Sequence, residues 1–181
     1  MNEIAKSIHE TLAAIINEMS DCTKQFVKNP DKDFTRNRKL PFEAVVQLLI
    51  SMGGNSIYRE LLESQGYDVN TATTSAFIQQ RDKILPSAFD FLLHKFTGSY
   101  TGTKKYRGYR LLAIDGSDLR IPTNPHDSET FCQCAPNIKG YNLLNLNVIY
   151  DLCDRIYIES LIQPYREANE NKALVDMSYL S

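Results

Sequence analysis

The stretch Arg110-Leu-Leu-Ala-Ile-Asp-Gly-Ser-Asp118 decides the fold prediction for this chain. Its apolar run, Leu111 to Ile114, is short and continuous, which is typical of a buried strand. We expect the strand to end at Asp115, because Gly116 takes backbone dihedral angles that other residues avoid. A carboxylate held rigidly at a strand end is a plausible ligand for a hard metal ion such as Mg²⁺. The competing interpretation is an ordinary turn aspartate.

Two more strands in hairpin register, and then a helix, are predicted downstream of this stretch. Apolar residues alternate along Leu144–Tyr150, so that the two leucines, the valine and the tyrosine share one face. Asp151–Asp154 is predicted to form a turn, and apolar residues alternate again over Arg155–Ile162. Pro164 ends that strand because proline cannot donate a hydrogen bond to the sheet. The apolar residues of Glu167–Leu180 have helical spacing.

This order of elements resembles the opening of a ribonuclease-H-like catalytic core. The residues resemble more closely the DDE transposases of bacterial insertion sequences, whose first catalytic motif reads Asp-Gly-Ser/Thr. The similar sequence motifs occur in the family's order along nearly the whole chain. They are Arg38–Phe42, Gln80–Ile84, Ala113–Ser117, Asn124–Phe131, Asn145–Leu152, Ile162–Pro164, Glu167–Glu170 and Ala173–Met177.

The resemblance implies a site in which three carboxylates hold two Mg²⁺ ions for phosphoryl transfer on DNA. Asp115 matches the family's first catalytic aspartate and would be both a catalytic residue and a metal ligand. The family's second aspartate, in an Asp-Arg-Gly-Tyr-like word, and its later glutamate have no match in this sequence. Asp176 falls at a non-catalytic helix position, which leaves Asp118, Asp151 and Glu159 as the nearby carboxylates.

The expected fold class is therefore α+β or α/β, with a helical region followed by the start of a ribonuclease-H-like mixed sheet of three strands and a helix. We expect a helical, candidate DNA-binding region over residues 1–97, a basic linker over 98–110 and an incomplete catalytic domain over 111–181. The resemblance implies an N-terminal fragment of a transposase that neither cuts nor joins DNA alone.

The helical region opens with an amphipathic helix, Met1–Asp21, for which we expect packing against the core, with dimerisation as the alternative. Further helices are predicted from the start signals at Pro41, Ser56 and Thr73 to Ser75, and their arrangement is similar to a helix-turn-helix. The candidate DNA-binding residues are basic or amide side chains in this region and in the linker: Arg36, Arg38, Lys39, Gln80, Arg81, Lys83, Lys104, Lys105, Arg107 and Arg110.

Composition limits these hypotheses without deciding between them. The net charge is −2 and the sequence pI is about 5.9, whereas dedicated nucleic-acid binders are usually more basic. A local basic patch nevertheless matters more for binding than the overall charge. No apolar run is long enough to span a bilayer and no signal core is visible, so we expect a cytoplasmic protein. The four cysteines lack a Cys-x-x-Cys pair and are expected to be free thiols.

Three functions remain open from the sequence. The first is an insertion-sequence transposase, with DNA as its partner, Mg²⁺ as its implied cofactor and a homodimer as one candidate assembly. The second is a non-catalytic DNA-binding protein or regulator of transposition. The third is a structural domain without a nucleic-acid role, which the acidic pI favours.

Overall fold

The computed structural model describes residues 3–36, 38–100, 102 and 104–178. The chain divides into two compact units, Met1–Phe96 and Thr97–Ser181. The first unit is called the helical unit below and the second the sheet unit, and each is considered by itself. Within the described part of the chain, no helix is both long enough and apolar enough to cross a membrane.

Among its described residues, the helical unit contains five helices and one short 3₁₀ turn. The turn, Thr23–Gln25, lies between the first two helices. The helices are α1 (Glu3–Asp21), α2 (Phe42–Ser51), α3 (Ile57–Ser64), α4 (Thr74–Arg81) and α5 (Ser87–Gly98).

The helix starts that the sequence signals predicted are confirmed. Pro41 is the N-cap of α2, in an extended conformation. Ser56 caps α3, where its side chain accepts a hydrogen bond from the Arg59 N–H at 3.4 Å. Thr73 caps α4 in the same way, with its hydroxyl oxygen 3.2 Å from the Ala76 nitrogen. The Ser56 and Thr73 hydroxyls each satisfy one of the amide groups that a helix leaves unpaired at its first turn, whereas Pro41 makes no such bond.

The apolar stripes of the five helices and their connections meet in one continuous core. Its buried members are Ile15, Ile16, Met19, Phe26, Val27, Leu40, Phe42, Val45, Val46, Leu48, Leu61, Ala72, Phe77, Ile84, Ala88 and Leu92. The second half of α1 therefore packs in the core, as expected. The first turns are exposed, with Ile4 at 68% and Ile8 at 39%, and Met1 lies outside the described residues.

Four antiparallel strands and one α-helix are present in the described part of the sheet unit. They are β1 (Leu112–Ile121), β2 (Phe131–Cys132), β3 (Tyr141–Asp151), β4 (Ile156–Pro164) and α6 (Glu170–Ser178). The central strand is β3, which pairs with β1 along its whole length, with β4, and with β2 next to β4. The predicted hairpin is confirmed, and Pro164 is the last residue of β4.

The expectation of a buried strand ending at Asp115 is wrong. β1 continues through Gly116 to Ile121, and most of its residues are exposed. It is exposed because, in the described chain, β1 pairs only with β3 and leaves its other edge free. The strand passes through Gly116 because close approach to the backbone favours glycine: a Cβ there would lie 3.0 Å from Glu170 Oε1. The rest of β1 and all of β2 replace much of the loop expected after Asp115.

The helix α6 covers one face of the sheet. Ile149 of β3 packs there against Ala173 and Met177 of α6, while Leu174 and Val175 are exposed. The helix starts three residues later than the predicted Glu167, because Tyr165–Glu167 forms a 3₁₀ turn, and the predicted end at Leu180 lies outside the described residues.

Buried polar side chains fix both ends of the β1–β3 ladder. At one end, the buried Asp151 carboxylate accepts a hydrogen bond from the Arg110 guanidinium. At the other end, fully buried Asn142 accepts from the Asn124 N–H at 2.8 Å and donates to the Asn124 carbonyl at 3.0 Å. These contacts connect the strands to the loops next to them.

Candidate functional site

The basic segment after α1 is held against the connection between α4 and α5. Lys28 N–H donates to the Lys83 carbonyl at 2.9 Å, and Leu85 N–H donates to the Phe26 carbonyl at 2.8 Å. The segment then turns at Asn29, whose N–H donates to the Asp33 carboxylate at 2.9 Å. These bonds bring basic residues from distant parts of the sequence to one surface.

That surface contains a cavity of about 370 Å³, called cavity A below. Arg36, Arg38 and Lys83, all predicted as DNA contacts, line it together with Lys32 and Asp31. The Lys83 ammonium donates to Gln80 Oε1 at 2.9 Å and lies 5.6 Å from the centre of the Phe34 ring. The remaining lining residues are Phe34, Thr35, Leu40 and Gln80.

A second cavity of about 400 Å³, cavity B, adjoins the first because Arg38, Leu40 and Gln80 line both. Lys39 also lines cavity B, and its ammonium donates to the Asn70 carbonyl at 2.7 Å. Thr73, the N-cap of α4, is on its wall. Cavities A and B are therefore neighbours on the helical unit, and basic side chains line both.

The exposure of the predicted contacts separates them into two groups. Arg36 and Arg38 are exposed and make no ion pair with any residue that the structure describes. Gln80, by contrast, is only 6% exposed and accepts the hydrogen bond from Lys83. Gln80 therefore lines both cavities with little exposed surface, its amide oxygen positions Lys83, and its predicted contact with DNA stays a prediction. Arg81 is exposed in the last turn of α4 and lines neither cavity.

The linker basic residues lie on a small hairpin just before β1. Tyr106 and Tyr109 exchange two backbone hydrogen bonds of 2.9 Å, and Arg107 and Gly108 turn the chain with positive φ angles. The Arg107 guanidinium lies 5.3 Å from the centre of the Tyr106 ring. Both tyrosines are exposed, as stacking on nucleic acid would require.

The other linker cations have different environments. Lys104 and Lys105 are exposed, and the Lys104 N–H donates to Asp154 Oδ1 at 3.1 Å. The Arg110 guanidinium contacts the buried Asp151 carboxylate, so part of its hydrogen-bonding capacity stabilises the sheet. Thr101 and Thr103 of the linker lie outside the described residues.

Asp115 lies in the middle of β1 and faces a shallow cavity of about 500 Å³. The Gly116 N–H donates to its Oδ1 at 3.0 Å. The cavity is otherwise lined by one cation, Arg155, and by apolar and tyrosine side chains. These are Ala113, Val148, Tyr150, Ile156 and Tyr157. Asp115 is therefore the only carboxylate among the described residues that line this cavity.

The nearby carboxylates do not complete a metal site with Asp115. Asp118, Asp151 and Glu159 all lie on the opposite face, because β1, β3 and β4 alternate in the observed register. Mg²⁺ needs several oxygen ligands and two neighbouring ions need several negative charges. Asp115 itself and the Arg155 guanidinium are the charged groups among the described residues that line this cavity, and they do not fit a pair of metal ions.

Asp151 is a structural carboxylate with a distinct electrostatic environment. Burial acts to raise its pKa, but hydrogen bonds from Arg110 and from the Asp154 and Cys153 N–H groups outweigh that effect and hold the pKa below its ordinary 3.8. The two backbone bonds measure 3.0 and 2.8 Å and define the turn between β3 and β4. Its role in the turn makes it unsuitable as a partner of Asp115.

The sequence interpretation missed a row of polar side chains on the face that α6 covers. Asn145 and Asn147 alternate with the apolar residues of β3, and Gln163 of β4 lies beside them. Asn147 Nδ2 donates to Asn145 Oδ1 at 2.8 Å and to Gln163 Oε1 at 3.2 Å. Two asparagines inside a strand are unusual because asparagine is depleted in strands, and this was the available signal.

Comparison with known proteins gives one informative similarity. The chain is 25% identical over 144 residues to a protein of Escherichia coli (strain K12) named "Putative transposase InsZ". The match covers 74% of this chain and 48% of that protein, so the chain spans about half the length of this relative. No protein-family model matches the chain, and no solved structure matches it. Because 74% of the chain exceeds the length of either unit, the similarity to a transposase sequence extends into both units.

Proposed function

We propose that this chain is a transposase-type DNA-binding protein whose helical unit holds DNA phosphates in cavities A and B. The observation that carries the proposal is the convergence of Arg36, Arg38 and Lys83 in cavity A, although they come from separate parts of the sequence. The similarity to the InsZ protein supports the transposase assignment.

The local charge supports DNA binding despite the acidic composition. Cavities A and B together are lined by five cations, Lys32, Arg36, Arg38, Lys39 and Lys83. Among the described residues, their only acidic lining residue is Asp31, which pairs with Lys24 at 3.3 Å. Phosphate binding at such a surface gains free energy from counterion release, which depends on local contacts and not on the charge of the whole chain.

The sheet unit is proposed to be the opening of a ribonuclease-H-like core of the DDE transposase type. Three long antiparallel strands, β1, β3 and β4, and the helix α6 that follows them support this, with Asp115 on β1. Asp115 would be one carboxylate of a phosphoryl-transfer site, but the cavity it faces does not offer the others. We therefore expect this chain to bind DNA without cutting it, which is also the behaviour of a regulator of transposition.

A salt titration of DNA binding tests the helical unit. The double variant Arg36→Ala/Arg38→Ala should bind duplex DNA about tenfold or more weakly near 0.1 M salt, and its slope of log affinity against log salt should fall by about two. Both side chains are exposed and unpaired among the described residues, so folding should be retained. The matched control is Arg59→Ala, an exposed arginine paired with Glu63 at 2.8 Å on α3. Unchanged binding by the double variant, or no binding by the parent chain at low salt, would contradict the proposal.

A cleavage assay tests the sheet unit separately. We expect no Mg²⁺-dependent strand cleavage by the purified chain, because Asp115 has no second carboxylate in its cavity. Cleavage that Asp115→Asn abolishes would show that the chain assembles a complete site and would remove the regulator interpretation. DNA binding should be the same in the parent and in Asp115→Asn.

A further inference from the structure

Asn147 contains a buried oxygen without a hydrogen-bond donor in the described part of the chain. The residue has no exposed surface, and its two N–H groups are used by Asn145 and Gln163. Its Oδ1 atom is buried and accepts no hydrogen bond from any described residue. A buried polar atom that is left unpaired destabilises the fold, so a native partner for this oxygen is expected.

A carboxylate oxygen of Glu170 lies near this amide oxygen, where both pack closely against the Gly116 backbone. A Cβ on Gly116 would lie 3.3 Å from Asn147 Oδ1 and 3.0 Å from Glu170 Oε1. Glu170 is in the first turn of α6, is exposed, and forms no ion pair with a described residue. One amide oxygen and one carboxylate oxygen, both acceptors, are therefore neighbours.

The chemistry of these two oxygens selects a cation. Both atoms are acceptors, and one of them carries a negative charge. Asp118 adds a second carboxylate on the same face of β1, two residues along, where its Oδ1 accepts from Asn145 Nδ2 at 3.2 Å. Carboxylate and amide oxygens are the ligands that hard divalent cations take in proteins.

We propose that Asn147 Oδ1 and a Glu170 carboxylate oxygen bind a divalent cation, Mg²⁺ or Ca²⁺, between them, beside Gly116. Water molecules complete the coordination shell. The site lies on the face of the sheet covered by α6, whereas Asp115 lies on the other face. Such an ion would fasten α6 to β1 and β3, so it is independent of the DNA-binding and phosphoryl-transfer functions proposed above.

The test uses Mn²⁺ as a paramagnetic probe on the full chain, with free Mn²⁺ measured by electron paramagnetic resonance. We expect one site, at least tenfold weaker binding by Glu170→Gln, and unchanged binding by Glu167→Gln, an exposed glutamate three residues earlier. Mg²⁺ or Ca²⁺ should displace the probe. Asp115→Asn should bind Mn²⁺ like the parent chain, which separates this site from any metal on the opposite face.

A second variant adds a methyl group beside the two oxygens. Gly116→Ala puts a methyl group within 3.3 Å of both oxygens and should reduce Mn²⁺ affinity about tenfold, with circular dichroism confirming the fold. No Mn²⁺ binding at millimolar concentration would overturn the proposal and leave a water molecule as the partner of Asn147. Equal binding by the parent and Glu170→Gln would overturn it as well.

Discussion

The two units are stabilised by different kinds of interaction. The helical unit buries sixteen apolar residues in one cluster, whereas the corresponding cluster of the sheet unit contains three. The sheet unit instead buries Asn142, Asn147, Asp151, Glu159 and Gln163. Apolar contact is non-directional and grows with buried area, but a buried polar group stabilises only when its partner is present. The stability of the helical unit should therefore fall most when buried side-chain volume is removed. The stability of the sheet unit should fall most when a hydrogen-bond partner or a charge is removed.

The largest effect is expected from a cavity in the helical core. Phe77→Ala removes a side chain with no exposed surface, and such changes cost about 3–5 kcal/mol of unfolding free energy. Urea unfolding followed by far-ultraviolet circular dichroism measures the loss. Val69→Ala, at a site 98% exposed in the same unit, should change stability by less than about 0.5 kcal/mol. A loss below about 1 kcal/mol for Phe77→Ala would mean that buried side-chain volume does not determine the stability of this unit.

In the sheet unit, the strongest expected effect comes from the charge of Asp151. Asp151→Asn removes the negative partner of Arg110 and should cost about 2–3 kcal/mol at neutral pH. Because the folded pKa is lowered, this stabilisation is present above the ordinary value of 3.8 and is lost as pH falls through the lower folded pKa.

The difference in stability between the parent and Asp151→Asn should therefore narrow in acid. Unfolding curves at pH 7 and pH 3 measure it. Asp176→Asn, an exposed aspartate on α6, is the matched control and should remain close to the parent at both values. A difference that is the same at both pH values would show that the contribution of Asp151 does not depend on its charge.

A smaller loss of stability is expected when the helix caps of the helical unit are removed. Thr73→Ala removes the cap of α4 and should cost about 1 kcal/mol. Ser56→Ala should cost less, because the Ser56 hydroxyl lies farther from its amide partner, at 3.4 Å against 3.2 Å. The urea midpoints of the two variants provide the test, and a larger loss for Ser56→Ala would reverse the expected order.

Local signals predicted the helices well and the sheet less well. Pro41, Ser56 and Thr73 begin helices by hydrogen bonding and backbone geometry that depend on only a few neighbouring residues. The extent of β1 depends instead on β3, about thirty residues later, which holds Gly116 in the strand by pairing it with Asn147. Sequence periodicity could not supply that constraint.

The candidate site was predictable in its residue types but not in its geometry. Arg36, Arg38 and Lys83 were identified by charge, and only the contacts between the basic segment and the α4–α5 connection place them in one cavity. The burial of Gln80 follows from helix packing, which a polar side chain does not reveal in the sequence. The roles proposed for the basic residues in DNA binding and for Asp115 in catalysis stay predictions.

The polar contacts at the two ends of the β1–β3 ladder affect how the sheet opens. Strand pairs usually fray from their ends, where the fewest bonds must break. Here Arg110 and Asp151 hold one end, and Asn124 and Asn142 hold the other. Fraying from either end should therefore be suppressed. Amide hydrogen exchange should then stay slow at both ends of these two strands and not rise toward them as in an ordinary strand pair.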